Sequence, residues 1–244
     1  MRRLVAHRGW SGRAPENTMA AIMMALGNDT VEAIELDVHL SKDGVPVVIH
    51  DFTLERTTDG SGLVGDHTVE ELQQLDAGYW FNGRFAYERI PTLEDVLLLA
   101  KGRKRLLVEL KQKAGYYAGL EENVVELIQR HGMTEEVLVI SFDHMSLQQV
   151  KALDPSIAVG PLFLGLPTLI AEQVRQVRAS YIGMHHEFLT KEIVEAVQPL
   201  GIELGVWTVD TAEDQERLKN LSDSLVITTN HPERLVTQQE KVGV

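Results

Sequence analysis

Eight short apolar runs punctuate the chain, and most are followed by a stretch with the apolar spacing of a helix. Leu4–Ala6, Ala33–Leu40, Arg105–Leu110, Val137–Ser141, Ile157–Pro161, Tyr181–Met184, Glu203–Trp207 and Ser224–Thr228 read as strands. A helix is expected after Pro15-Glu16-Asn17-Thr18, stopped at Gly27, and another from Pro91-Thr92, stopped at Gly102. Others are expected over about Leu120–Arg130, Asp143–Leu153, Thr168–Val177, Thr190–Gln198 and Ala212–Leu218, with a last one starting at Pro232. Strand and helix alternating in this way predict an α/β fold, a (β/α)8 TIM barrel. A doubly wound sheet would need fewer strands, and no Gly-x-Gly-x-x-Gly turn follows the first strand. At 244 residues the chain suits a single barrel domain over 1–244. The rhythm lapses once, over about 52–89, which predicts a small inserted subdomain after strand 2. That segment carries a capping-box pattern at Thr68–Glu71 and an aromatic cluster, Tyr79-Trp80-Phe81, expected to be a mini-core rather than a wall over a pocket.

In such a barrel chemistry gathers at the C-terminal ends of the strands. Along strand 2, Glu35, Asp37 and His39 alternate with Ile34, Leu36, Val38 and Leu40, so the two acids share a face. Burying two like charges is costly, so something cationic is expected between them. Asp43-Gly44 then turns the chain, Val45–Ile49 returns as a short apolar run, and His50-Asp51 ends it. Strand 3 adds Glu109 and Lys111 on one face, and strand 1 ends at His7-Arg8. Any one of these acids alone reads as a solvated loop edge or an ion-pair partner. Converging, Glu35, Asp37 and Glu109 form an all-oxygen set that suits one divalent cation, Mg²⁺ or Ca²⁺.

His7 and His50 are expected to be an acid–base pair, since imidazole titrates near neutrality. Arg8 and Lys111 offer positive charge to a phosphate, and Trp207 could face an apolar part of a substrate. His39 reads as structural, and His185 and His186 are balanced between pocket lining and packing. His67, His131, His144 and His231 read as surface or cap residues.

The net charge of −13 argues against nucleic acid or an anionic membrane surface as a partner, and leaves any small anionic substrate in need of local cations. There is no cysteine, which excludes disulfides and thiolate metal sites. Met1-Arg2-Arg3 has the charge of a signal-peptide start, but only Leu4–Ala6 is apolar before His7-Arg8, and no run is long enough to cross a bilayer. The expectation is a cytoplasmic protein without stable membrane insertion, monomeric or homodimeric.

An ordered series of motifs resembles the glycerophosphodiester phosphodiesterases. It comprises His7-Arg8-Gly9, Pro15-Glu16-Asn17-Thr18, Glu35-Leu36-Asp37-Val38, Asp43-Gly44-Val45-Pro46-Val47 and His50-Asp51. It continues with Leu75-Asp76-Ala77-Gly78, Ile90-Pro91-Thr92-Leu93, Val108-Glu109-Leu110-Lys111, Ser141-Phe142 and Val206-Trp207-Thr208-Val209. The resemblance implies a barrel with its insertion after strand 2 and a divalent metal at Glu35, Asp37 and Glu109. It also implies His7 and His50 as acid–base catalysts, Arg8 and Lys111 on the phosphate, and Trp207 on the substrate side. The implied reaction is hydrolysis of compounds such as glycerophosphocholine or glycerophosphoethanolamine to glycerol 3-phosphate and an alcohol. One departure is Thr229-Asn230, where many relatives carry Thr-Asp. A lipid-directed relative acting on lysolipids and a non-catalytic binding barrel are the alternative readings.

Overall fold

The computed structural model describes residues 3–234, so the Met1-Arg2 start and the last helix beyond Arg234 lie outside the described residues. The chain runs β1 (Arg3–Ala6), α1 (Met19–Leu26), β2 (Val31–Leu40), β3 (Pro46–Val48), α2 (Val69–Leu72), α3 (Leu93–Ala100) and β4 (Arg105–Leu110). It continues with α4 (Leu120–Arg130), β5 (Val137–Ser141), α5 (His144–Leu153), β6 (Ala158–Phe163), α6 (Ile170–Gln176) and β7 (Tyr181–His185). It then forms α7 (Lys191–Val197), β8 (Glu203–Trp207), α8 (Ala212–Leu221) and β9 (Val226–Thr229). Strand order is β1-β9-β8-β7-β6-β5-β4-β2, and β1 pairs in parallel with β2, which closes the ring into a TIM barrel. The return after Asp43-Gly44 is β3, which pairs antiparallel with β2 outside the ring.

Local chemistry sets the helix starts. Thr18, Thr92, Asp143 and Thr211 each accept a backbone N–H of the first turn, and Thr68 and Thr92 complete capping boxes with Glu71 and Asp95. On the outer face of the ring, Ile34, Leu36 and Val38 of β2 join Leu106, Val108 and Leu110 of β4 in a cluster with Leu93, Leu97, Val124 and Ile128 of the helices. Alternation sends the intervening residues inward.

Inside, the lower barrel is filled by Val5, Ala33, Leu107, Leu138, Ile140, Leu162 and Val226 around Tyr181. Space for that phenol comes from missing side chains: a Cβ on Gly205 would lie 1.9 Å from the Tyr181 hydroxyl oxygen, and one on Gly160 2.5 Å from its ring. Gly205→Ala is therefore expected to destabilise the fold by roughly 3 kcal/mol, the upper end for overpacking a core. Tyr181→Phe in the same chain, by deleting the oxygen struck, should recover part of it. Urea unfolding reads both, and equal losses with and without that oxygen would place the clash elsewhere.

The long connection between β3 and α3 packs through Leu54, Val64, Leu72, Ala77 and Ile90 against Val47 and Ile49. The aromatic cluster is not its core, which corrects the sequence expectation. Tyr79 and Trp80 are exposed, and Trp80 and Phe81 meet edge to face at 5.7 Å, away from the pocket mouth. Aliphatic side chains fill the interior instead. Among the described residues no helix is long and apolar enough to cross a membrane.

Candidate active site

The register of two neighbouring strands assembles the centre of the site. β2 and β4 run parallel with Asp37 opposite Glu109, so Glu35, Asp37 and Glu109 point inward at the C-terminal end of the ring. All three are buried, and each offers an oxygen within 4.8 Å of the others. The expected cations are present. Lys111 Nζ lies 2.7 Å from Glu109 Oε1 and 3.5 Å from Asp37 Oδ1, and Arg8 Nε is 3.3 Å from Asp37 Oδ2. The Arg8 backbone N–H donates to Glu35 Oε2 at 2.9 Å, and Asn17 Nδ2 donates to Asp37 Oδ2 at 2.8 Å.

Two cations are not enough to let all three acids ionise. Burial, then the charges of Asp37 and Glu109, push Glu35 well above the usual carboxylate range. Burial also lifts Glu109 to about 7 against the pull of Lys111. Burial works against the charge of Asp37 too, but Lys111 and Arg8 outweigh it and hold that carboxyl well below its ordinary value. Asp37 Oδ1 is buried without a hydrogen-bond donor. An all-oxygen cluster with an undonated carboxylate oxygen and two acids lifted by burial and by the charge of Asp37 fits a hard divalent cation.

His7, one residue past β1, and His50, shortly after β3, border the same pocket as Arg8, Glu35, Glu109, Lys111 and Trp207. His7 Nε2 is 3.9 Å from Glu35 Oε2, and its Nδ1 is 2.7 Å from Asn230 Oδ1. Burial, reinforced by Arg8, drops the His7 imidazole to about 4. His50 is also lowered by burial, and its Nδ1 is 2.6 Å from Asp51 Oδ1. Trp207 ends β8 and meets Phe142 and His185 edge to face at 5.5 and 5.0 Å. Its indole Nε1 is buried without a partner.

Other histidines stay out of the pocket lining. His39 is fully buried, with Nε2 on the His50 carbonyl at 2.9 Å and Nδ1 on the Tyr117 hydroxyl at 2.8 Å, so it holds the His50 backbone. His186 lies 3.3 Å from Asp214 and 3.1 Å from Arg217, and His131 lies 2.7 Å from Glu94.

Several residues of the site escape a reading of the sequence. Arg56, from the long connection, forks onto Asp51 at 2.6 Å and onto Glu16 at 2.8 Å, and Glu16 receives Arg8 at 2.8 Å. One chain of ion pairs thus links Arg8 to the carboxylate behind His50. Glu16 and Asn17 lie in the loop after β1, where polar residues were a usable signal; Arg56 had none. Phe142 borders the pocket mouth and is 44% exposed. The loop after the adjacent β6 carries Leu164, Leu166 and Leu169, 59–66% exposed, on the same rim.

The sequence model of the glycerophosphoryl diester phosphodiesterase family matches residues 7–234. A glycerophosphodiester phosphodiesterase of Caldanaerobacter subterraneus subsp. tengcongensis is 41% identical over 98% of both chains. One from Bacillus altitudinis is 36% identical over 99% of this chain and 100% of its own. Among solved structures, an Oleispira antarctica phosphodiesterase in complex with the product sn-glycerol-3-phosphate superposes with a TM-score of 0.91 at 31% identity, covering 98% of this chain and 97% of that one. The glycerophosphodiester phosphodiesterase of Agrobacterium tumefaciens gives 0.80 at 32% identity over 96% and 98%. The barrel, its acid cluster and the extent of these matches agree: the chain belongs to the glycerophosphoryl diester phosphodiesterase family.

Proposed function

We propose that this protein hydrolyses glycerophosphodiesters such as glycerophosphocholine and glycerophosphoethanolamine to glycerol 3-phosphate and an alcohol, with one divalent cation, Mg²⁺ or Ca²⁺. The observation that carries the proposal is the placement of three buried carboxylates, two cations and two imidazoles around one pocket. The phosphodiesterase of Oleispira antarctica, bound to sn-glycerol-3-phosphate, supports the product.

Glu35, Asp37 and Glu109 would hold the cation, which would supply positive charge to offset that of the diester. Arg8 and Lys111 meet the phosphate and orient it. One imidazole takes the proton of the attacking hydroxyl, either the 2-hydroxyl of the glycerol or a water. The other gives a proton to the departing alkoxide. If the glycerol hydroxyl attacks, a cyclic phosphate precedes hydrolysis. Trp207 and Phe142 line the substrate side and exclude water from it.

The exposed leucine rim favours a second reading, in which the substrate is a lysolipid whose acyl chain lies over Phe142 and Leu164–Leu169. A single panel separates the readings. Purified enzyme with Mg²⁺, Ca²⁺ or a chelator is offered glycerophosphocholine, glycerophosphoethanolamine and lysophosphatidylcholine, and glycerol 3-phosphate or choline is measured. The first reading expects metal-dependent glycerol 3-phosphate release and at least about tenfold higher kcat/KM on the soluble diesters, a difference of roughly 1.4 kcal/mol. Faster lysolipid turnover transfers the assignment to the second reading. Turnover of none of the three with any metal removes both.

A further inference from the structure

The two imidazoles lining the pocket are backed differently: His50 by a carboxylate, His7 by a carboxamide. Which end of that carboxamide faces His7 is fixed by its other neighbour. Asn230 Nδ2 lies 2.6 Å from Asp210 Oδ2, and a carboxylate only accepts. Asp210 is itself held, since its Oδ1 accepts the Asn230 backbone N–H at 2.9 Å and the Thr229 hydroxyl at 3.0 Å. Turning the amide over would set oxygen against oxygen at Asp210, so Asn230 Oδ1 is the atom 2.7 Å from His7 Nδ1. Ser11 Oγ sits 2.7 Å from the same oxygen and 2.7 Å from the His7 carbonyl, and its single hydrogen can serve only one of them at a time, so the orientation of the amide rests on Asp210. An amide oxygen facing an imidazole nitrogen requires that nitrogen to carry hydrogen.

We propose that Asn230, aligned by Asp210, is a positioning residue that locks His7 in the Nδ1–H tautomer and leaves Nε2 as its one proton-exchanging atom. Nε2 is the nitrogen turned toward Glu35 and the pocket. Whichever way the proton travels in the reaction, it travels at Nε2, while Nδ1 keeps its hydrogen because the carboxamide cannot take it. The same arrangement explains why an amide stands at this position: a carboxylate there would face Asp210 at 2.6 Å with no proton between them. The role in turnover rests on the hydrolase reading above; the tautomer itself does not.

The test is nitrogen NMR of the ¹⁵N-histidine-labelled full chain, combined with steady-state kinetics. For His7 the expected spectrum is that of a protonated Nδ1 and an unprotonated Nε2. Asn230→Leu, which keeps the branching of the side chain and removes the acceptor, should give mixed tautomers and a kcat lower by roughly 10–100-fold with KM nearly unchanged. Asp210→Asn, which leaves the amide free to turn over, should give a milder version of both changes and serves if Asn230→Leu does not fold. The paired exchange Asn230→Asp with Asp210→Asn restores an acceptor toward Nδ1 and should recover most of kcat. A His7 found as Nε2–H, or an unchanged tautomer in Asn230→Leu and Asp210→Asn, overturns the proposal. An enzyme with the expected spectrum and no phosphodiesterase activity leaves the positioning intact and removes the hydrolase reading.

Discussion

His7→Ala and His50→Ala are each expected to lower kcat on glycerophosphocholine by roughly 10²–10⁴, the range for losing a general acid or base. Neither substitution should unfold the chain. Both side chains lie on loops after β1 and β3, and neither belongs to a hydrophobic cluster of the barrel. Metal affinity, read by titration calorimetry, should remain within about threefold, because the three carboxylates are untouched; KM should change little, because Arg8 and Lys111 still meet the phosphate. Burial and the Arg8 charge disfavour protonated His7. Burial lowers His50 as well, but Asp51 at 2.6 Å is a partner that stabilises positive charge on its ring. The two losses should therefore not add: the double variant should be only slightly worse than the poorer single one, since removal of either already breaks the proton path. Full turnover in both single variants would remove the imidazoles from the chemistry, and a loss confined to KM would reassign them to binding.

The barrel was legible because its signals are local and repeated. Inward–outward alternation along β2 exposed Glu35 and Asp37 before any partner strand was known, and the end-of-strand rule then placed Glu109, Lys111 and His7 beside them. Strand limits shifted by a residue or two, as at β6, where the Gly160-Pro161 pair lies inside the strand and buried Leu162 and Phe163 extend it. What remained hidden depends on contacts distant in sequence. Arg56 reaches Glu16 across forty positions, and Asn230 reaches His7 across 223, so neither partner leaves a pattern in its own neighbourhood. Asn230 shows the difference well: by sequence it is a missing carboxylate, whereas beside Asp210 it is the group that can donate to one neighbour and accept from the other. Tyr79-Trp80-Phe81 misled for the opposite reason: aromatic density in sequence reads as core, while Tyr79 and Trp80 lie exposed.

Asp37→Asn should have the second large effect, abolishing measurable metal binding and lowering turnover by about 10³-fold, the equivalent of some 4 kcal/mol of charge stabilisation in the transition state. Asp37 is chosen because Arg8 and Lys111 keep it ionised while its Oδ1 still lacks a donor, so it is the anionic anchor of the set. Glu35 and Glu109 start from the other side. Both carboxyls are raised, Glu109 to about 7, so in the metal-free protein they hold protons that a cation must displace. A raised carboxyl keeps its proton until the pH passes its shifted value, so metal affinity rises with pH and weakens as the medium is acidified. Below about pH 7 the apparent affinity should fall by at least about tenfold per pH unit, one proton being released for each such group that must ionise. Calorimetry in buffers of different ionisation enthalpy counts those protons. An Asp37→Asn protein that binds Mg²⁺ or Ca²⁺ and turns over like the parent, or binding that is flat from about pH 6 to pH 8, would mean that these three acids are not where the ion resides.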